Sequence, residues 1–218
     1  MAHPFTKGVH DLGNGAHAYL QPFGEWGYSN AGLITDGGEA LLVDTLFDER
    51  LTDEMMKALK DATGFGAGDV GTLVNTHANG DHTFGNRLIK NARIIASAAS
   101  THEMEEDGNP QRLAELLANW KSLGEVGVFF HKLFKDFDFA GVEFRLPDTT
   151  FSGEKTVKVG GKDVQLIELG PAHTAGDVII YSPKDRAVFN GRVLNFLEVV
   201  DPDNQDWTRR ITAVEVVA

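Results

Sequence analysis

The chain has 218 residues, 42% of them hydrophobic and 24% charged, enough for one sizeable core and marginal for two. Twenty Lys and Arg against 32 Asp and Glu leave a net charge of -12, a field that repels phosphate backbones and anionic membrane surfaces, so neither nucleic acid nor a membrane is an expected partner. Zero cysteines exclude disulfides, thiol nucleophiles and thiolate metal sites, and any metal must be held by His, Asp, Glu or amide oxygen.

From Met1 to Leu20 polar residues and glycines recur without an apolar run long enough for a signal-peptide core, and no segment has the length of a transmembrane helix. A soluble, cytoplasmic protein is the default expectation. Ala31 to Ile34 and Ala40 to Val43 are apolar runs on either side of Thr35-Asp36-Gly37-Gly38, whose glycines supply the positive φ of a hairpin loop. Leu51, Met55, Leu59 and Ala62 then form one helical stripe, with Asp48 as N-cap and Gly64 as the stop. Val70 to Asn75 reads as a buried strand that delivers the loop His77 to His82 to a sheet edge, and Arg93 to Ala96 as another strand.

From Ser100 to about Lys121 the pattern is helical, with Leu113, Leu116, Leu117 and Trp120 on one side and Pro110 starting a second helix. Six phenylalanines follow in a short stretch from Phe129 to Phe144, around His131 and Lys132. Their ordinary role is to fill a core beneath an inserted helical segment; the sharper alternative is an apolar lid or substrate wall. Val157 to Val159 and Val164 to Leu169 flank Gly160-Gly161 as a second hairpin, and Val178 to Tyr181 with Ala187 to Asn190 make a third. Hairpins before and after a helical middle predict two sheets rather than one.

The chemistry concentrates in two loops. Thr76-His77-Ala78-Asn79-Gly80-Asp81-His82 places two imidazoles and a carboxylate together at a strand end, where an α/β protein presents groups to a crevice, and zinc takes both donor types. The bland alternative, Asp81 capping the next helix, leaves both histidines unexplained. The second loop is Gly170-Pro171-Ala172-His173-Thr174-Ala175-Gly176-Asp177, again between strands. His3, His10 and His17 lie outside any ligand spacing and are expected at the surface, while His131, among aromatics, is a candidate substrate contact or a half-buried side chain. Asp201 to Asp206 lacks the length and glycine position of a calcium loop and reads as a turn.

In this order, strand, His-rich loop, inserted helices, hairpin and His-Thr loop, the chain resembles the metallo-β-lactamase superfamily. The early aspartate of that family looks like Asp44 in Leu42-Val43-Asp44-Thr45; its His-x-His-x-Asp-His motif reads here His77, Asn79, Asp81, His82; its His-Thr station matches His173 and Thr174. The resemblance implies an α/β fold, the four-layer αββα sandwich of the metallo-β-lactamase type, lacking its C-terminal portion. It also implies one domain over 1–218, with a Phe-rich helical insertion at about 100–142 as a cover for the cleft.

The implied activity is hydrolysis of an ester, thioester, amide or lactone by metal-activated water, with zinc the expected ion and manganese or iron as alternatives. His77 and His173 would serve a first metal position, Asp81 and His82 a second, with Asp81 also orienting the attacking water. Two departures fall on the ligands. Asn79 offers only a weak neutral oxygen, and Arg192 stands where the family's bridging aspartate is expected. The final family histidine has no counterpart after His173. A one-ion or impaired site follows, with Asn79, Asp44 and Thr174 as weak ligands or supports and Arg192 as a carboxylate or oxyanion holder. The competing expectation is a non-catalytic member of the fold that binds a small anionic ligand or a protein partner; a nuclease ranks third. A homodimer is a further expectation, from an uncovered sheet edge.

Overall fold

The computed structural model describes residues 6–22, 26–191, 193–200 and 210–215, the last two stretches and residue 107 by backbone alone. Arg192, His3 and the 201–206 turn lie outside the described residues. The first sheet runs in chain order through β1 (Gly8–Gly13), β2 (Ala16–Leu20), β3 (Ala31–Asp36), β4 (Glu39–Val43), β5 (Thr72–Val74), β6 (Arg93–Ser97) and β7 (Thr149–Phe151). Its first four strands pair antiparallel and the remaining pairs are parallel. The second sheet is antiparallel throughout, from β8 (Glu154–Val159) through β9 (Lys162–Glu168), β10 (Val178–Ser182), β11 (Ala187–Phe189) and β12 (Val193–Val200) to β13 (Arg210–Glu215).

The three predicted hairpins form where the turn chemistry puts them. Gly37 and Gly38 close β3 onto β4 at φ 57° and 84°. The predicted stripe becomes α1 (Glu49–Thr63), with the Asp48 carboxylate accepting from Leu51 N at 2.6 Å and Gly64 ending it at φ 84°; such a cap contributes about 1 kcal/mol. Leu51, Met55 and Leu59 are buried as the spacing requires, but Ala62, one residue from the end of the helix, is exposed.

Two apolar layers result. Between the sheets, Ile34, Leu41 and Val43 meet Val164, Leu166, Ile180 and Phe189, and Phe189 lies so close over Gly32 that a Cβ there would stand 2.4 Å from the ring. On the other face of the first sheet, Leu33, Leu42 and Leu73 pack beneath α1 and the aromatic group Phe134, Phe137 and Phe139. That group sits in and after α5 (Gly124–Phe134), which follows α3 (Ala98–Asp107) and α4 (Pro110–Ala118). Outward-facing Thr156, Lys158, Asp163 and Gln165 of the second sheet are exposed, so the described residues supply three of the sandwich's layers. No helix among them is long and apolar enough to cross a membrane.

Strand direction gives the molecule two ends. The hairpin turns near Asn14, Asp36, Gly160 and Lys184 gather at one, and the segments that follow β4, β5, β9 and β11 open at the other.

Candidate active-site cleft

Asp44 ends β4 in the left-handed region, at φ 61°, and is 1% exposed. A non-glycine residue held there stores strain that its surroundings must offset, and they do. Asp44 Oδ1 accepts from Thr76 N at 2.7 Å, and Oδ2 accepts from the Thr76 hydroxyl at 2.7 Å and from His82 Nδ1 at 2.9 Å. One carboxylate thus ties together the ends of β4 and β5 and the short helix α2 (Gly80–Thr83) that carries His82.

The tautomers follow from this chain of bonds. The Thr76 hydroxyl donates to Asp44, so its contact with His77 Nδ1 at 2.8 Å is one in which the imidazole donates. His77 Nε2 is left as a lone pair. Burial and the neighbouring His82 charge push the His77 imidazole down to about 4, which keeps it neutral. Burial works in the same direction on His82, but Asp44 and Asp81 outweigh it and raise His82 to about 8. Its Nε2 lies 3.5 Å from Asp81 Oδ2.

Buried amides hold the loop that these residues share. Asn75 and Asn86 exchange hydrogen bonds at 2.9 and 3.2 Å, and Asn75 Nδ2 and Thr45 N reach His82 O at 3.0 Å each. Ser29 donates to the Asp81 carbonyl. Asp81 is not the helix cap; Asn79 occupies the cap position, and no side-chain cap bond forms.

The second loop comes in from the other sheet. Asp177 Oδ2 accepts from His173 N at 2.7 Å, and its Oδ1 from Thr174 N at 2.9 Å and the Thr174 hydroxyl at 2.6 Å. Burial works to raise Asp177, but these donors hold it below the usual carboxylate range. Ser97 and Ser100 at the start of α3 both donate to Gly176 O, at 2.6 and 2.8 Å, and a side chain at Gly176 would strike them. Gly191, at φ 77°, passes close to His77; a Cβ there would stand 3.2 Å from Cε1.

The two loops bring the three histidines together. The His77 ring lies 4.2 Å from His82 and 5.3 Å from His173, centroid to centroid. His173 is exposed and its Nε2 accepts from Asn79 Nδ2 at 2.8 Å. Asn79, Asp81, His82, His173 and Thr174 line a cleft of about 890 Å³, whose apolar wall includes Tyr28, Phe47, Phe84, Phe130 and Phe134.

The phenylalanines therefore divide. Phe137 and Phe139 fill the core against Phe47, with ring centroids 4.9 and 4.8 Å away, while Phe130 and Phe134 reach the cleft and Phe129 is exposed. One expectation needs correction, and another resolves to its second alternative. His131 is half-buried, stacked on Trp120 at 4.2 Å, and does not line this cleft. His17 is not a surface residue; only 14% of its side chain is exposed and it faces Asp11 at 3.8 Å, because it lies on a central strand. Asp177, which ties the His173 loop, and Gly191 and Arg112 of the cleft wall escaped the sequence reading, since their roles depend on how the loops and helices fold around them.

The model of the metallo-beta-lactamase superfamily matches residues 24–214. Solved structures agree. A metallo-beta-lactamase from Pontibacter korlensis is 18% identical, with 84% of this chain and 69% of that one covered at a TM-score of 0.59. A subclass B3 metallo-beta-lactamase of Bradyrhizobium japonicum is 18% identical, with 87% and 62% covered and a TM-score of 0.57. The metallo-beta-lactamase from Hirschia baltica is 16% identical, with 84% and 71% covered and a TM-score of 0.55. No curated protein matches the chain. The chain belongs to the metallo-beta-lactamase superfamily, and its fold is of that type. Membership suggests a metal-dependent hydrolase.

The donors suit a metal ion better in kind than in arrangement. Three neighbouring imidazoles, two of them on the cleft with Asp81 and the third, His77, buried beside them, are the chemistry zinc takes. Among the described residues, however, no group of three or more His, Asp or Glu is arranged to hold an ion. His173 Nε2 is engaged by Asn79, two carboxylates raise His82 towards its charged form, and Asn79 has no imidazole to offer. A two-ion set does not fit these residues. A single ion matches them in donor type, once His173 leaves Asn79 and His82 gives up its proton.

Proposed function

We propose that the protein is a hydrolase that cleaves a small ester, thioester, amide or lactone with one divalent ion, zinc before manganese or iron. The observation that carries the reading is the chain Asp44, Thr76, His77, which leaves the His77 Nε2 lone pair open beside His82, Asp81 and His173. His77 and His173, with Asp81 or His82, would hold the ion. When bound there, such an ion supplies a Lewis acid that polarises the carbonyl and acidifies water.

The chain's own residues do the rest. Asp44 and Thr76 fix the two imidazoles, a supporting role that in metal sites governs affinity as strongly as the donors themselves. Asp81 offers a carboxylate at the cleft surface to take a proton from water. Thr174 and Asp177 set the His173 loop, and the aromatic wall, with the 100–142 insertion as cover, keeps solvent from the substrate body. The charge of -12 favours a small-molecule partner over nucleic acid.

Hydrolysis of a panel of p-nitrophenyl esters, acyl thioesters, anilides and lactones, with protein loaded with zinc, manganese or iron, tests the reading. Turnover that disappears with chelator, returns with one metal and falls at least about a hundred-fold in Asp81→Asn supports it. Turnover indifferent to both overturns it. The second reading, ligand binding without turnover, is favoured by the Asn79 to His173 bond that closes the donor set.

A further inference from the structure

One cation in the cleft has no task in the reading above. Arg112, in the first turn of α4, lines the cleft beside Leu113 and Leu116 and faces the same space as Phe130 and Phe134. Among the described residues its guanidinium makes no hydrogen bond or ion pair. Arg145 bonds Ile89 O, Ala92 O and Asp148, Arg50 bonds Asp136 O, and Arg87 pairs with Glu49 and Glu143, while Arg93, exposed at the start of β6, does not line the cleft. Glu103 lines the cleft too, yet its Oε2 accepts from Ala175 N at 3.1 Å, which fixes the His173 loop instead of neutralising Arg112.

The chain has 32 acidic side chains against 20 basic ones, yet Arg112 stands exposed at the cleft wall without an acidic partner among the described residues. It presents planar paired donors that match a carboxylate, next to apolar side chains that match a hydrocarbon or aromatic body. It stands on α4, a different element from the two loops that carry His77 and His173 and from α2 that carries His82, so it is placed to receive a group other than the bond to be cleaved.

We propose that Arg112 is a specificity-determining residue that receives a carboxylate of the substrate, so that the cleft takes amphiphilic carboxylates: molecules with one anionic end, an apolar or aromatic body and a hydrolysable group elsewhere. The turnover part of this statement rests on the hydrolase reading; carboxylate recognition does not, and it is measurable on chelator-treated protein.

The probes are 4-phenylbutyrate and its neutral counterpart 4-phenylbutanamide, titrated calorimetrically into the chelator-treated 218-residue chain and into Arg112→Gln and Arg112→Lys. Arg112 is exposed on a surface helix, so both variants keep the fold. The expected result is about ten-fold tighter binding of the acid than of the amide, a preference abolished in Arg112→Gln, reduced but present in Arg112→Lys, and weakened by added salt. Amide affinity stays within about two-fold in all three proteins. A preference that survives Arg112→Gln, equal affinity for both probes, or no binding of either at millimolar concentration overturns the proposal. Metal content separates the two readings. An acid preference in a chain that binds no metal leaves Arg112 standing and removes the hydrolase, whereas metal uptake with no acid preference does the reverse.

Discussion

The two ends of the sheets each bury a charged cluster, and the clusters are built to opposite purposes. At the hairpin end Lys162, 3% exposed, directs its ammonium to Asn14 O, to Thr35 O at 2.9 Å and to Asp185 Oδ1 at 2.7 Å, and Ser182 donates to the other Asp185 oxygen at 2.5 Å. Two ammonium bonds fall on backbone carbonyls and the third contact is a buried charge pair, and the cluster ties together the four hairpin turns of both sheets. At the cleft end Asp44 is equally buried and accepts three hydrogen bonds, but the groups around it keep unspent capacity: the His77 Nε2 lone pair and the Asp81 carboxylate. A buried polar network that closes on itself specifies a fold; one that ends in open donors at a cleft specifies a site.

Breaking the closed cluster has the larger cost. Lys162→Met leaves the Asp185 carboxylate buried without its cation, and we expect a loss of about 3–5 kcal/mol in urea denaturation. Metal uptake per folded chain stays as in the wild type. A loss under about 1 kcal/mol would mean that water reaches Asp185.

Asp44→Asn sharpens the contrast from the other side. Asparagine tolerates the positive φ and keeps an acceptor for Thr76, but it removes the charge that holds the His82 proton, for an expected cost of about 1–3 kcal/mol. The pH dependence carries the sign. His82 rises to about 8 in the folded chain from an ordinary 6.5, so its contribution is complete below 6.5 and disappears as pH rises through 8. In metal-free protein the Asp44→Asn penalty is therefore larger at pH 6 than at pH 9. Equal urea midpoint shifts at the two values would show that His82 is not held as a cation.

The smallest expected effect comes from Gly191→Ala. A methyl at φ 77° costs about 1 kcal/mol and crowds His77 at 3.2 Å, so zinc affinity should fall while the Lys162 cluster and the overall melting profile change little. Unaltered zinc affinity would place the ion away from His77.

Much of this was legible in the sequence where local chemistry decides the outcome. Gly37-Gly38, Asp48 with Gly64, and Pro110 set turns and caps that the fold keeps. The strands β1, β2 and β7 were not legible. β1 is a half-buried edge with no apolar run; β2 alternates between two cores, with Tyr19 on one face and Ala16, Ala18 and Leu20 on the other; and β7 has only three residues. In the cleft, His77, Asp81, His82 and His173 stood out by spacing and resemblance, and the fold gathers them. Asp177 and Arg112 did not stand out, because a carboxylate that ties a loop and a guanidinium that lacks a partner are properties of neighbours, not of sequence. Asn79, expected as a weak ligand or a support of the site, donates to His173.

The central claim is that the open end of the molecule holds one metal ion on His77 and His173. Its most direct test is elemental analysis of protein purified without chelator and then equilibrated with zinc, manganese or iron, beside His77→Ala and His173→Ala. The account predicts about one ion per chain, lost in both variants. No ion under any loading condition, or one that persists in both variants, would contradict it.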